Sequence, residues 1–301
     1  MNNKNKEMQP MILGIDGGGS KCRAVLFHPE EGVIGTGLSG AANPVNGLAV
    51  AQASIIEACE LALQDAGLGH QPLSQCVVGA GLAGVNLPSC EQAMIQWQHP
   101  FAAFHLTTDL HIACLGAHGH KDGAIMITGT GSCGYLSLGG QGKIIGGHGF
   151  PQGDKGSGAW FGLRAIQQAL EASDGLAADT LMTELLAQHF GSSDPMAWVE
   201  QIAGQRSTAY AKLAAVVFQA AEHGDAVAQA TLSEGTAYID QLAQQLLNLG
   251  APRLALLGGL GPLLIPYLAE SVQARLHAAE AAPEVGAVYY AQDALASQAN
   301  Q

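Results

Sequence analysis

The stretch ILGIDGGGSKCRAVLF, residues 12–27, sets three consecutive glycines, Ser20 and one acid, Asp16, between two apolar runs. Runs rich in Ile, Val, Leu and Phe on either side of small turn residues read as two strands joined by a tight turn. A second stretch, AIMITGTGSCGYLSLGGQGKIIGG from residue 124, has the same layout of strand, Gly-rich turn with a serine, strand, short loop and strand. A repeated supersecondary unit predicts two similar lobes, each opening with its own strand, turn and strand, the turns facing each other across a cleft. The boundary falls near 118–123, HGHKDG, which divides the chain into lobes of residues 1–118 and 119–301.

The rest of the chain alternates between the two periodicities and predicts an α/β protein. Helical patterns cover 45–66, 89–98, 111–118, 157–172, 208–223, 226–249 and 263–279, and strand patterns cover 32–35, 75–78, 104–107, 124–128, 135–138, 143–145 and 253–257. Gly and Pro clusters separate them.

Composition narrows the function. A chain of 301 residues that is 48% apolar buries a large core, yet it carries forty glycines against only twelve Lys plus Arg. An anion would therefore be held by backbone N–H groups rather than by cations. The net charge of −13 excludes nucleic acid as a partner, because such binding rests on clustered Lys and Arg. No run of about 18 apolar residues exists to span a bilayer, and MNNKNKEMQP at the N-terminus has no apolar signal core. A cytoplasmic protein with no membrane partner is expected. The six cysteines are single, with no C-x-x-C, and read as buried reduced thiols rather than a zinc site or disulfide framework. His118 and His120, among eleven histidines, do not by themselves make a metal site.

Consecutive glycines after a strand expose N–H groups that bind anions, and the Ser20 hydroxyl adds a donor. Asp16 at the mouth of the turn repels a phosphate unless it holds Mg²⁺ against the phosphate oxygens, so an acid beside an anion site implies a metal. The competing reading is a plain type I′ turn whose Asp and Gly serve positive φ. A dinucleotide fold competes as well. GAGLAG (Gly79, Gly81, Gly84) and GTGSCG (Gly129, Gly131, Gly134) both fit G-x-G-x-x-G, and Asp109 lies where a ribose-binding acid could sit. The second match is followed by strand-like YLSLGG and the first by Pro88, whereas the fingerprint needs an uninterrupted helix. A Walker loop is absent, since Lys21 and Lys155 stand in the wrong context.

The segments GIDGGGSKCRAVL, TTDLHIACLGAHG, GAIMITGTGSCGYL, GGHGFPQGDKGSGAWFGLRAI and LALLGGLGPLL occur in one order over residues 11–295. In this order they resemble the amino-sugar kinases of the BadF/BadG/BcrA/BcrD ATPase family, within the actin–Hsp70–sugar kinase superfamily. The likeness is greatest to the bacterial glucosamine kinases and more distant to the N-acetylglucosamine kinases. It implies two ribonuclease H-like lobes, each of the actin-like ATPase type, with ATP and sugar in the cleft between them, and a homodimer. By the same resemblance Asp16 positions Mg²⁺, and Gly17, Gly18, Gly19, Ser20 and Lys21 form the first phosphate loop. Gly129, Thr130 and Gly131 form the second, and Gly258, Gly259 and Leu260 match the adenosine motif. Asn43, Ser132, Cys133, Gly147, His148, Gly149 and Asp154 fall at sugar-contacting positions, and Asp109 matches the catalytic base.

The residues themselves leave two readings of Asp109, which follows the apolar strand FHLTT and precedes a helix. It is either the helix N-cap, accepting N–H groups near Ile112, or the base that takes a proton from the 6-hydroxyl of the sugar. Asp154, in PQGDKGSG, is likewise a helix-entry residue or a carboxylate that grips sugar hydroxyls and the ammonium of glucosamine. Two other function classes stand beside the kinase. An ATPase activator of a radical dehydratase needs cysteine ligands for an iron–sulfur cluster, and Cys133 has no suitably spaced partner. A nucleotide-gated binding module of the Hsp70 kind needs a further domain, for which 301 residues leave no room. Glucosamine and N-acetylglucosamine stay open as alternative substrates.

Overall fold

The computed structural model describes residues 11–299. The chain forms two compact units, one made of the residues up to Lys121 together with those from Ala279 onward, the other of Asp122–Ala278.

In the first unit β1 (Met11–Gly17), β2 (Cys22–His28) and β3 (Gly32–Ser39) form an antiparallel meander. Helix α1 (Leu48–Asp65) leads to β4 (Cys76–Leu82), parallel to β1, and α2 (Pro88–Ile95) leads to β5 (Ala103–Thr108), parallel to β4. Helix α3 (Asp109–His118) follows β5 with no intervening loop. The sheet order is β3-β2-β1-β4-β5. Every residue of β4 is buried, as expected of a parallel strand covered on both faces. Leu13, Ile15, Leu26, Ile55, Val78 and Leu82 form the centre of its core.

The second unit repeats the plan. β6 (Gly123–Thr128), β7 (Ser132–Leu138) and β8 (Gln141–Gly146) form the meander. A helical segment follows, comprising α4 (Gly158–Ser173), α5 (Leu181–Phe190), α6 (Pro195–Ile202), α7 (Ser207–Lys212), α8 (Ala214–Glu222) and α9 (Ala226–Asn248). β9 (Leu254–Leu257) then pairs parallel to β6, giving the order β8-β7-β6-β9. β1 and β6 are thus equivalent: each lies between an antiparallel and a parallel neighbour. Met126, Leu136, Ile239 and Leu246 pack under the sheet, and Phe161, Met182, Trp198 and Val217 pack between the helices.

Several elements differ from the sequence reading. The pattern at 208–223 is two helices that break at Leu213, and the one at 45–66 starts with a 3₁₀ turn, Pro44–Asn46, before Gly47 and α1. The stretch 263–279 is not one helix: α10 (Gly261–Leu264), a 3₁₀ turn (Ile265–Tyr267) and α11 (Glu270–Gln273) replace it. Pro266 supplies no N–H there and its ring blocks continuation of α10. Helices α5 and α6 escaped the reading although Thr180 and Asp194 cap them, accepting the N–H groups of Met182 and Met196. Gly79 and Gly81 lie inside β4 with no helix beginning at them, which removes the dinucleotide fingerprint.

The last helix, α12 (Pro283–Ala299), also went unread, and it corrects the expected division at 118 and 119. It belongs to the first unit. A Cβ on Gly14 of β1 would meet the Glu284 carbonyl, one on Gly79 of β4 the Ala287 carbonyl, and one on Gly116 of α3 the Ala282 carbonyl. These glycines let α12 lie against the sheet and α3 at backbone distance, and Val288 and Ala291 complete the seam. Among the described residues no helix is long and apolar enough to cross a membrane.

Candidate active site

Asp16 is the penultimate residue of β1, opposite Arg23 on β2 and beside Gly81 on β4. Alternation along β1 puts it on the same face as Gly14, the face α12 covers. Burial, with the nearby Glu284 and Asp109 adding to it and Lys21 and Arg23 opposing it, pushes its carboxyl up to about 6. Glu284, in the first turn of α12, is itself buried and accepts from Arg23 Nη1 at 3.3 Å. Asp16 and Asp109, far apart in sequence, are therefore electrostatic neighbours within the first unit.

The turn after β1 is closed by Gly18 N–H donating to the Lys21 carbonyl at 2.9 Å. None of Gly17, Gly18 and Gly19 has a left-handed φ, which rules out the type I′ reading. Gly17 is needed for space, since a Cβ there would meet Leu82, whereas Gly18 and Gly19 have no protein atom closer than 3.6 Å to theirs. The Gly18 carbonyl accepts from Ala42 N–H at 2.9 Å. Because N–H and C=O of one peptide point in opposite directions, the Gly19 N–H faces away from that segment, toward the open side. Ala42 is followed by Asn43, whose Oδ1 accepts from Val45 N–H at 2.9 Å.

Asp109 is the first residue of α3, and Thr108 is its cap: Thr108 Oγ1 accepts from His111 N–H at 3.2 Å. The N-cap reading of Asp109 is therefore wrong. Its carboxylate accepts from the adjacent Leu110 N–H at 2.9 Å. Burial raises its pKa and this bond opposes the rise.

In the second unit the carbonyls of Gly129 and Thr130 accept from Gly158 N–H at 2.7 Å and Ala159 N–H at 3.2 Å, at the start of α4. By the same peptide geometry the N–H groups of Thr130 and Gly131 point away from α4. The Gly129 position is open, with nothing within 4 Å of a Cβ. Next to it, Leu260 N–H donates to the Thr128 carbonyl at 3.1 Å, and Gly258, at φ 92, packs on that same carbonyl. Gly259 beside it is open. The Gly129–Gly131 and Gly258–Leu260 segments are thus joined through the end of β6.

The segment from Gly146 to Gly156 follows β8. Asp154 stands there at φ 60, a left-handed conformation uncommon for a side chain-bearing residue. Its Oδ1 accepts from Gly149 N–H at 3.2 Å, and its carboxylate lies over Gly131. Burial raises its pKa, opposed by the Gly149 bond, by His148 and by Ser132. Cys133 packs against Gly147. Ser132 is buried and its hydroxyl donates to the Lys155 carbonyl at 2.8 Å, so it ties the loop down. His148 is exposed. Sequence reasoning missed Arg23 and Glu284 in the first unit and Glu234 and Tyr238 of α9 in the second, because contacts over such separations leave no local signal.

Comparison with known proteins places the chain in a family. The family model of the BadF/BadG/BcrA/BcrD ATPase family matches residues 13–291, and the chain belongs to that family. It is 37% identical over 265 residues to glucosamine kinase GspK of Vibrio cholerae serotype O1, covering 87% of this chain and 88% of that one. The crystal structure of a candidate N-acetylglucosamine kinase from Chromobacterium violaceum superposes with a TM-score of 0.86 at 32% identity, covering 94% of this chain and 99% of that one. A ROK family glucokinase from Streptomyces griseus has the same fold at a TM-score of 0.54 and 18% identity, over 94% of this chain and 98% of that one.

Proposed function

We propose that the chain transfers the γ-phosphoryl group of Mg-ATP to the 6-hydroxyl of glucosamine, yielding glucosamine 6-phosphate and ADP. The observation that carries this is Asp109: its carboxylate is relieved of capping by Thr108, held with a raised pKa, and placed beside Asp16. The 37% identity to a glucosamine kinase supports the substrate.

Phosphoryl transfer asks the protein for alignment and charge neutralisation more than for covalent work. Asp109 accepts the proton of the sugar 6-hydroxyl as that oxygen forms its bond to phosphorus and the bond from phosphorus to the ADP oxygen breaks. The Gly19, Thr130 and Gly131 N–H groups donate to phosphate oxygens, and Asp154 with Asn43 orients the sugar. Asp16 suits a divalent cation, because burial and two neighbouring acids disfavour its charge until a cation offsets it. Asp16 would hold Mg²⁺, directly or through water, and the ion would supply neutralisation of the phosphate charge. The nucleoside is assigned to a cavity of about 420 Å³ lined by Gln229, Leu232, Ser233, Thr236 and Tyr267, the last close in sequence to Gly259. A cytoplasmic setting belongs to the same reading, as does a homodimer, which rests on the family resemblance.

N-acetylglucosamine is the second substrate reading, favoured by the similarity to the Chromobacterium violaceum structure. ADP release from Mg-ATP, run in parallel with glucosamine, N-acetylglucosamine and glucose, separates them. Stimulation by one amino sugar identifies the substrate, and stimulation by none overturns the kinase reading.

A further inference from the structure

The loop that carries Asp154 is built from residues that do not hold a shape unaided. Gly146, Gly147, Gly149 and Gly156 all take left-handed φ values, of 71, 69, 87 and 77°, and Asp154 itself stands at 60°. Glycine-rich backbone has many accessible conformations, so one conformation has to be imposed from outside. Three contacts from one face of α9 do so. Glu234 Oε1 lies 2.9 Å from Lys155 Nζ, immediately after Asp154. Gly235 lies against the other side of that lysine's neighbour, with its carbonyl 2.8 Å from where a Gly156 Cβ would stand. Tyr238, one helical turn from Glu234, sets its hydroxyl 3.0 Å from the corresponding point on Gly146, at the loop's other end.

The lysine is steadied further: its Nζ is 5.7 Å from the centre of the Trp160 ring, and Arg164 Nη2 is 3.8 Å from the second Glu234 oxygen. We propose that Glu234 and Tyr238 of α9 are positioning residues that hold the loop of residues 146–156 at both ends, Glu234 through Lys155, and thereby set the affinity for sugar. This rests on the reading that Asp154 binds the sugar. Burial raises the Tyr238 pKa, with Asp154 and Cys133 adding to the rise, so the phenol stays protonated beside the carboxylate. The Lys155–Glu234 pair is half-exposed, with side-chain exposures of 38% and 45%. Such pairs add little to global stability, so its loss registers in the loop and not in the melting temperature.

The test uses Glu234→Gln, Lys155→Met, the double variant and Tyr238→Phe, with two readouts. Hydrogen–deuterium exchange of residues 146–156 in the ligand-free protein reads the loop without any sugar. Calorimetric titration with glucosamine, N-acetylglucosamine and ATP reads affinity. Each single variant at the ion pair is expected to speed exchange in the loop and weaken sugar binding about 5–20-fold, with ATP within about twofold and the double no worse than either single, as coupled residues behave. Unchanged exchange and sugar affinity, equal weakening of ATP, or effects that multiply in the double variant overturn the proposal. A parent protein that binds neither sugar overturns the amino-sugar reading instead, while the exchange data still decide whether α9 holds the loop.

Discussion

Thr108 Oγ1 accepts the His111 N–H at 3.2 Å, so the carboxylate of the neighbouring Asp109 is not the cap of α3. Thr108 takes the capping role that sequence reading had weighed for Asp109. Thr108 closes the helix terminus, and Asp109 is left with a half-buried carboxylate whose pKa burial raises above the ordinary value.

The division predicts opposite phenotypes. Asp109→Asn keeps the fold and lowers turnover by roughly 10² to 10⁴, the usual worth of a general base. Thr108→Ala lowers stability by about 1 kcal/mol, as cap losses do, with a far smaller effect on turnover. Steady-state kinetics and thermal unfolding on both variants check the pair.

Asp16 predicts a stability that declines as the pH rises. Its carboxyl titrates at about 6 in the folded chain against 3.8 for the unperturbed group. Between these values the folded chain keeps a proton that the unfolded chain has released, so the metal-free protein loses stability from about pH 4 to pH 6, and the deficit is complete above that. Asp16→Asn removes it and is expected to stabilise the metal-free protein at pH 7.5 by on the order of 1–3 kcal/mol while abolishing phosphoryl transfer. Denaturant unfolding at pH 4.5 and 7.5 is expected to show the larger gain at the higher pH, where the deficit is complete.

The glycines fall into two groups that substitution separates. Gly14→Ala drives a methyl into the Glu284 carbonyl and Val288, and overpacking of this kind costs about 1–3 kcal/mol or more. Gly129 has an open surround and no left-handed φ. Gly129→Ala is expected to leave the melting temperature unchanged or slightly raised and to weaken ATP about tenfold, measured by calorimetry.

Asp154→Ala is expected to raise the KM for the sugar by roughly 10–100-fold, as expected on loss of a charge-assisted contact, and to leave the KM for ATP within about twofold. Initial-rate measurements with each substrate varied in turn check this. A rise confined to ATP would move Asp154 to the nucleotide side.

The thiols divide in the same way. Burial pushes Cys22 up to about 12, Cys76 to about 11 and Cys59 well above its ordinary value, whereas Cys90 and Cys133 are half-buried. Iodoacetamide on the native protein at pH 7.5 is expected to label Cys90 and Cys133 alone, and sugar to protect Cys133 alone, as peptide mass mapping would show.

Much of this was legible in the order of residues. The strand and turn pattern at residue 12, repeated at residue 124, anticipated two sheets with matching order around β1 and β6. The loops at Gly17–Lys21, Gly129–Gly131 and Gly258–Leu260 stand out because their glycines follow strands, and strand-to-turn transitions are local in sequence. Local periodicity could not show that residues 283–299 return to the first unit, since a helix that packs on a sheet through Gly14 and Gly79 carries its signal in the sheet as much as in itself.

The sequence by itself determined which groups are available: an acid at the end of the strand at residue 12 and another after FHLTT, glycines where backbone N–H groups must be bare, and too few cations to hold phosphate by side chains. Tertiary structure alone decided what those groups do. Asp16, Asp109 and Glu284 become neighbours only when three separate elements close on one sheet face, and Asp154 is held only when α9 lies along its loop. Burial and electrostatic coupling depend on distance through space, and that distance exists only once the chain has folded.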